Sequence, residues 1–309
     1  MASEDMITGL DLLHATQLDA GEAASITGRY GTDTKRYVRK AYWRLLSWAR
    51  WPWALSPTPG IITTLAKQDV TVSSISSASP AIVTLSATIA TSQAGRKFYV
   101  EGNQSVYRIA AHTAGTAALT LDAKYVETET AGSAVIFQDE YQMGANVLKI
   151  WDPLSVRGTR YDQIKILDKP RFEDLYGRGS WSLGFGTLEA ACEVAPDAYE
   201  AANTGIMRKL RFAPWSEDAL NIEFDYTTFH NLDFTGTGDG DTPRIPREHR
   251  SVIVDLAVYE LFVAKDDNKA SQAIMKATQQ IMEMIEQYIP SQDGRLYVKP
   301  KHSASLGCT

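Results

Sequence analysis

The chain has 309 residues, 44% of them hydrophobic and 22% charged, with a formal net charge of −6. That length suffices for two or three packed units, and the composition excludes wholesale disorder. The net acidity argues against a general nucleic-acid binder, and the wide separation of the two cysteines, Cys192 and Cys308, argues against a disulfide framework or a cysteine metal site. No apolar run approaches the ~20 residues that a membrane span needs, and the opening MASEDMITG lacks the basic-then-apolar order of a signal peptide. The expectation is a protein that has no membrane partner and stays in the cytoplasm of its host.

Residues 1–33 read as a loosely attached N-terminal arm with a short helix around Met6–Leu18, ended by GEAASITG. Residues 34–60 hold a first bundle helix. Val38, Tyr42, Leu45, Leu46 and Ala49 share one helical face, with Asp33 or Thr34 as N-cap and Pro52 as the stop. The opposite face is basic, with Lys35, Arg36, Arg39, Lys40, Arg44 and Arg50, and Trp43, Trp48, Trp51 and Trp53 cluster near its end. Such a face is either simply solvated or a contact surface for an acidic neighbour or passing DNA, because Arg and Trp are enriched where interfaces concentrate their binding energy.

Residues 61–143 read as a small all-β insertion. The stretch 69–95 holds a single charged residue, Asp69, among many Ser, Thr and Ala. From Gly95 to Tyr141 short strands alternate apolar and polar positions: Phe98 and Val100, Val106 and Ile109 around Tyr107, Leu119 and Leu121, Val135 and Phe137. Residues 144–245 form a second β-rich region with strands at Val147–Trp151, Gln163–Leu167, Met207–Phe212 and Ala219–Phe229, and a short helix at Lys169–Tyr176 introduced by Pro170. The glycine-spaced run Gly177–Gly186 lacks the Gly-Lys-Ser/Thr ending of a phosphate loop and reads as a surface loop or hairpin.

Residues 246–289 form a helical hairpin. Val252, Leu256, Tyr259 and Val263 mark its first helix; Ala270, Ile274, Ala277, Ile281, Met284 and Tyr288 keep a heptad seam along the second. Residues 290–309 are an extended tail. The fold class expected is α+β: a helical bundle, built from the N-terminal helix and the C-terminal αα-hairpin, that carries inserted β-sandwich or barrel-like domains.

The sequence shows no catalytic constellation. His14, His112, His230, His249 and His302 have no metal-ligand spacing. Asp233, Asp239 and Asp241 lie on a Gly-rich turn but lack the ligand order of a calcium loop, so a plain loop is the favoured reading. Neither Ser180 nor Ser251 has a nucleophile-elbow setting, and Asp139 and Glu140 are adjacent, hence on opposite faces of a strand. The expectation is a protein that is not an enzyme and has no cofactor and no metal.

Two stretches resemble the head-to-tail adaptor, or neck, proteins of tailed bacteriophages. One is GRKFYVEGNQSVYRIAAHTAGTAALTLDAKYVETETAGSAVIFQDEY, Gly95–Tyr141; the other joins Tyr226-Thr-Thr-Phe-His-Asn-Leu, Thr242-Pro-Arg-Ile-Pro-Arg-Glu-His-Arg-Ser-Val-Ile-Val-Asp-Leu-Ala-Val-Tyr and Lys265-Asp-Asp. The resemblance implies a non-enzymatic virion subunit that forms a ring with copies of itself, twelvefold in the family. That ring binds the portal protein, offers its far side to a tail or nozzle protein, and lets genomic DNA pass without sequence-specific binding.

Candidate contacts to portal, neighbour subunit or channel are Arg36, Arg39, Lys40, Arg44, Trp48 and Trp51 on the helix. Arg295, Leu296, Tyr297, Val298 and Lys299 are those in the tail, whose apolar residues with basic flanks suit docking on a partner. A competing reading is a carbohydrate- or receptor-binding virion module in which Trp151, Trp181 and Trp215 stack on sugars, against the plainer alternative that these rings fill a β core.

Overall fold

The computed structural model describes residues 6–21, 28–128, 130–144, 146–159, 163–177, 184–195, 208–236, 241–265 and 267–289. The chain divides into two units. One comprises Met1–Pro57, Asn146–Ile150 and Tyr226–Thr309; the other comprises Thr58–Ala145 and Trp151–Asp225.

The first unit is built around helices α1 (Gly9–Asp19), α2 (Gly28–Trp48), α4 (Ser251–Ala264) and α5 (Ala270–Tyr288). At the start of α1 the Thr8 hydroxyl accepts the Asp11 amide at 3.2 Å while the Asp11 carboxylate accepts the Thr8 amide at 2.8 Å, a reciprocal cap. Leu12 and Leu13 are fully buried. The expectation of a loosely attached arm is therefore corrected: its helix is capped and sunk into the core.

Helix α2 begins at Gly28, ahead of the expected cap at Asp33 or Thr34, and Thr34 is buried within it. Helix α4 packs against α1, α2 and α5 together, which explains its near-continuous apolar sequence. Helix α5 buries Ala277, Ile281 and Met284 of the expected seam, and Ile285 beside them.

The second unit holds a closed barrel of β2 (Gln68–Ile75), β3 (Ile82–Ile89), β4 (Lys97–Val100), β5 (Tyr107–His112), β6 (Thr116–Leu121) and β7 (Gly132–Phe137), ordered β2-β3-β6-β5-β4-β7. Phe98, Ile109, Leu119, Leu121 and Ile136 fill its interior, and polar Ser and Thr positions alternate outward.

A seven-stranded sheet follows the order β1 (Gly60–Thr63), β13 (Asn221–Thr228), β9 (Val147–Val156), β10 (Gln163–Leu167), β11 (Ala190–Val194), β12 (Lys209–Ala213), β8 (Glu140–Gln142). Strands β10 and β11 run parallel, and the link between them carries helix α3 (Lys169–Tyr176). That helix buries Phe172 against Ala190, Cys192 and Ala213.

The expected class, a helical bundle carrying inserted β domains, is overturned. Among the described residues thirteen strands, six in the closed barrel and seven in the open sheet, outweigh five α-helices, and the architecture is mostly β. The physical reason is long-range pairing: β1 is completed by β13, Gly60 opposite Phe224, and no local period reveals such a partner.

Candidate functional site

Helix α2 turns Val38, Ala41, Tyr42, Leu45 and Leu46 into the core, so its basic residues are left on the other side. Most of them are engaged within the unit. Arg39 Nε donates to the Leu232 carbonyl at 2.9 Å, and its guanidinium lies 4.9 Å over the Phe234 ring. Lys40 Nζ donates to Glu260 Oε2 at 2.6 Å and Arg44 Nη1 to Glu260 Oε1 at 3.1 Å, so one carboxylate on α4 gathers two cations. Arg44 also lies over the rings of Trp48 and Tyr259, 5.6 Å from each.

The Glu260 side chain is only 9% exposed, and two cations there offset its desolvation. By contrast Arg36 stays 68% exposed, 5.0 Å over Tyr37 and 3.9 Å from Asp33, and Lys40 is 61% exposed. Among the predicted contact residues of the helix these two side chains are the exposed ones, and Arg50 at its end is exposed as well.

The tryptophans separate in the same way. Trp48 is half-buried beneath Arg44, whereas Trp51 is fully buried, donates its indole N–H to the Leu45 carbonyl at 2.7 Å and stacks on Trp53. As a contact residue Trp51 is corrected: it belongs to the core and offers no surface. Arg295, Leu296, Tyr297, Val298 and Lys299 lie outside the described residues.

The residue that sequence reasoning missed is Glu260. Two acids, Asp255 and Glu260, stand inside the apolar run SVIVDLAVYELF, and that is the signal that would have found it, since a carboxylate in such a run needs cations nearby.

A second missed group is Arg250, 4% exposed, whose guanidinium donates to the carbonyls of Met6 at 2.6 Å, Ile7 at 2.7 Å, Pro243 at 3.3 Å and Ile245 at 3.3 Å. It ties residues far apart in sequence into one corner. The five donors of guanidinium permit this, where the three of an ammonium would not reach as many acceptors.

The candidate chemistry resolves into structural roles. Asp241 is fully buried and accepts the amides of Phe234 at 3.0 Å and Gly236 at 2.6 Å. It closes a loop in which Phe234 adopts a left-handed φ of 58°; Asp239 lies outside the described residues. Among the described residues no group of three or more His, Cys, Asp or Glu converges as a metal site, and no helix is long and apolar enough to cross a membrane.

Burial pushes the Cys192 thiol up to about 11, so it stays protonated and unreactive. In the second unit Asp139, 1% exposed, accepts from Lys97 Nζ at 2.6 Å and Arg211 Nε at 3.0 Å. Its neighbour Glu140 binds Lys209 at 2.7 Å; burial opposes its charge, but Lys209, Lys97 and Arg211 together hold its carboxyl below the usual range. Trp215, 2% exposed, packs against Phe137 and Phe185, so it has no free face for a sugar; Trp151 is partly exposed on β9, and Trp181 lies outside the described residues. No protein-family model matches this chain, and no curated protein matches it in sequence.

Proposed function

We propose that this chain is a structural head-to-tail adaptor of a tailed bacteriophage, a ring subunit that sits beneath the portal, lengthens the DNA channel and gives the tail a docking face. The observation that supports this reading is the placement of the two stretches that carry the resemblance. Gly95–Tyr141 holds strands β4 to β8, most of the barrel and one end of the seven-stranded sheet, and Thr242–Lys265 holds α4 together with Arg250, the anchor of the helical unit. A likeness that falls on whole structural elements concerns how a subunit is built, which is where an assembly protein's function resides.

Mechanically, the ring would hold the genome after packaging and release it fast. The net charge of −6 suits such a bore, because each added phosphate contact multiplies affinity and would slow exit. The exposed Arg36 and Lys40 head groups are the part of α2 proposed to meet portal or a neighbouring subunit.

The test is negative-stain microscopy of the purified full chain alone and mixed with portal protein. Closed rings of a single size, alone or on portal, are the expected result. Monomers in both samples would overturn the reading.

A further inference from the structure

Strand β1, four residues long, is one end of the seven-stranded sheet, and among the described residues it carries no Lys, no bulge and no covering strand. Its partner lies on one side only: Gly60 to Thr63 pair antiparallel with Phe224 to Asn221 of β13, and no described strand lies beyond. The Thr64 amide donates to the Leu220 carbonyl at 2.7 Å, on the β13 side. Alternation along an extended chain then aims the backbone groups of Thr63 and Ile61 away from β13.

The next outward amide, that of Leu65, is taken by the Tyr141 hydroxyl at 3.0 Å, which marks where the open stretch stops. Ile61 is 49% exposed, Leu65 is 44% exposed and Thr63 is exposed, while Ile62 and Thr64 between them are buried. Among the described residues the open end of this sheet therefore presents backbone with no strand partner and an uncharged alternating face. Natural sheets usually blunt such a position with Lys, a bulge or a cover. The opposite end does so: β8 is three residues long and its Glu140 is bound by Lys209.

Beside the C-terminal end of β1 the surface is acidic. Lys67 stands 3.8 Å from Asp69 and 3.9 Å from Glu217, and these carboxylates are 71% and 56% exposed, with Asp218 exposed next to them.

We propose that the free edge of β1 receives residues 294–300 of a second copy of this chain, added as a further strand. The inference rests on the ring reading for its biological setting, though not for its chemistry. Three features of the occupant fit the edge. Leu296 and Val298 share one face of an extended segment and match the alternating Ile61, Thr63 and Leu65. Arg295, Lys299 and Lys301 flank them and complement Asp69, Glu217 and Asp218. Helix α5 ends at Tyr288, so residues 289–293 provide a leader of roughly 17 Å when extended, ahead of the strand. Main-chain hydrogen bonds then supply affinity, and the apolar pair sets the register.

The test uses the full-length chain in a Cys308→Ser background. Protein carrying Thr63→Cys is mixed with protein carrying Leu296→Cys or Val298→Cys, oxidised, and run without reductant, while the same samples are imaged. A disulfide joining the two kinds of chain is expected, for one of the two tail positions, in up to about half of the molecules, the ceiling for a random equal mixture of copies in a head-to-tail ring. Adding Ile61→Lys is expected to cut that yield at least ~10-fold with an unchanged melting temperature, since Lys on an edge repels an incoming strand without touching the ladder.

Rings without the disulfide would overturn the strand docking and leave the adaptor reading intact. The disulfide without rings would do the reverse. Failure of both would sink both, and a bond that forms in a further variant carrying Thr63→Cys and the tail cysteine in one chain, but not between the mixed chains, would overturn the exchange between copies.

Discussion

The two units place charge in their interiors by opposite means. In the helical unit Arg250 is buried against four backbone carbonyls. In the β unit Asp139 is buried against two cationic side chains, Lys97 of the barrel and Arg211 of the sheet. Carbonyls are fixed by the fold, so Arg250 fastens backbone to backbone. Lys97 and Arg211 are held by Asp139, so there the charge fastens side chains that would otherwise repel. Removing the buried group should therefore cost more where like charges are left behind.

The largest expected effect is that of Asp139→Ala, which leaves Lys97, Lys209 and Arg211 gathered around the one remaining carboxylate, Glu140, and should lower stability by about 3–5 kcal/mol in denaturant titration. Arg250→Met should cost less, about 2–3 kcal/mol, because neutral carbonyls lose their donors without gaining repulsion. Arg250→Lys should recover less than half of that loss, having three donors for four acceptors. If Arg250→Met proves the more damaging of the two, the comparison is inverted. Glu260→Gln should cost about 1–2 kcal/mol, since Lys40 and Arg44 are partly solvated and can turn to water.

Acid sharpens the same contrast. Glu140 has a folded pKa below its ordinary value, so its contribution is present above the unfolded value and is lost as pH falls through the folded one. Asp255 is the reverse: burial raises its pKa, with Lys276 and Gln280 opposing, so its charge is a cost that disappears on protonation. Melting temperatures followed from pH 6 downward should show Glu140→Gln flattening the acid loss and Asp255→Asn removing an opposing gain. Identical slopes for both variants and the parent would refute the assignment. The smallest effect on stability is expected from Arg36→Glu, whose exposed head group should leave the melting temperature unchanged while weakening ring or portal assembly.

Much of the local structure was legible in the sequence. The period-two alternation from Phe98 to Phe137 became barrel strands, the Pro170 signal marked α3 at Lys169–Tyr176, and the heptad seam of α5 placed Ala277, Ile281 and Met284 inside. Long-range structure was not. β11, Ala190–Val194, reads as an undistinguished Ala-rich stretch because its identity comes from β10 and β12 on either side. The class was misjudged for the same reason, since amphipathic helices announce themselves locally while sheet partners lie elsewhere in the chain.

On the candidate face, charge on α2 was visible but its fate was not: Arg39 is claimed by a carbonyl and by Phe234, and Lys40 and Arg44 by Glu260, all from the far end of the chain. Trp51 could not be told from Trp48, because which ring turns inward depends on the bend after the helix.

Closure of the six-stranded barrel has a consequence for crowding. Its ladder returns on itself from β2 through β7, so neighbouring copies pressed flank to flank find no strand there with which to merge. A protein that gathers in many copies at one spot faces the risk of gelling through every exposed backbone it owns. Among the described residues, with the barrel sealed and the β8 end shortened, that risk narrows to the short edge of β1, and association through this backbone becomes limited in valence rather than open-ended.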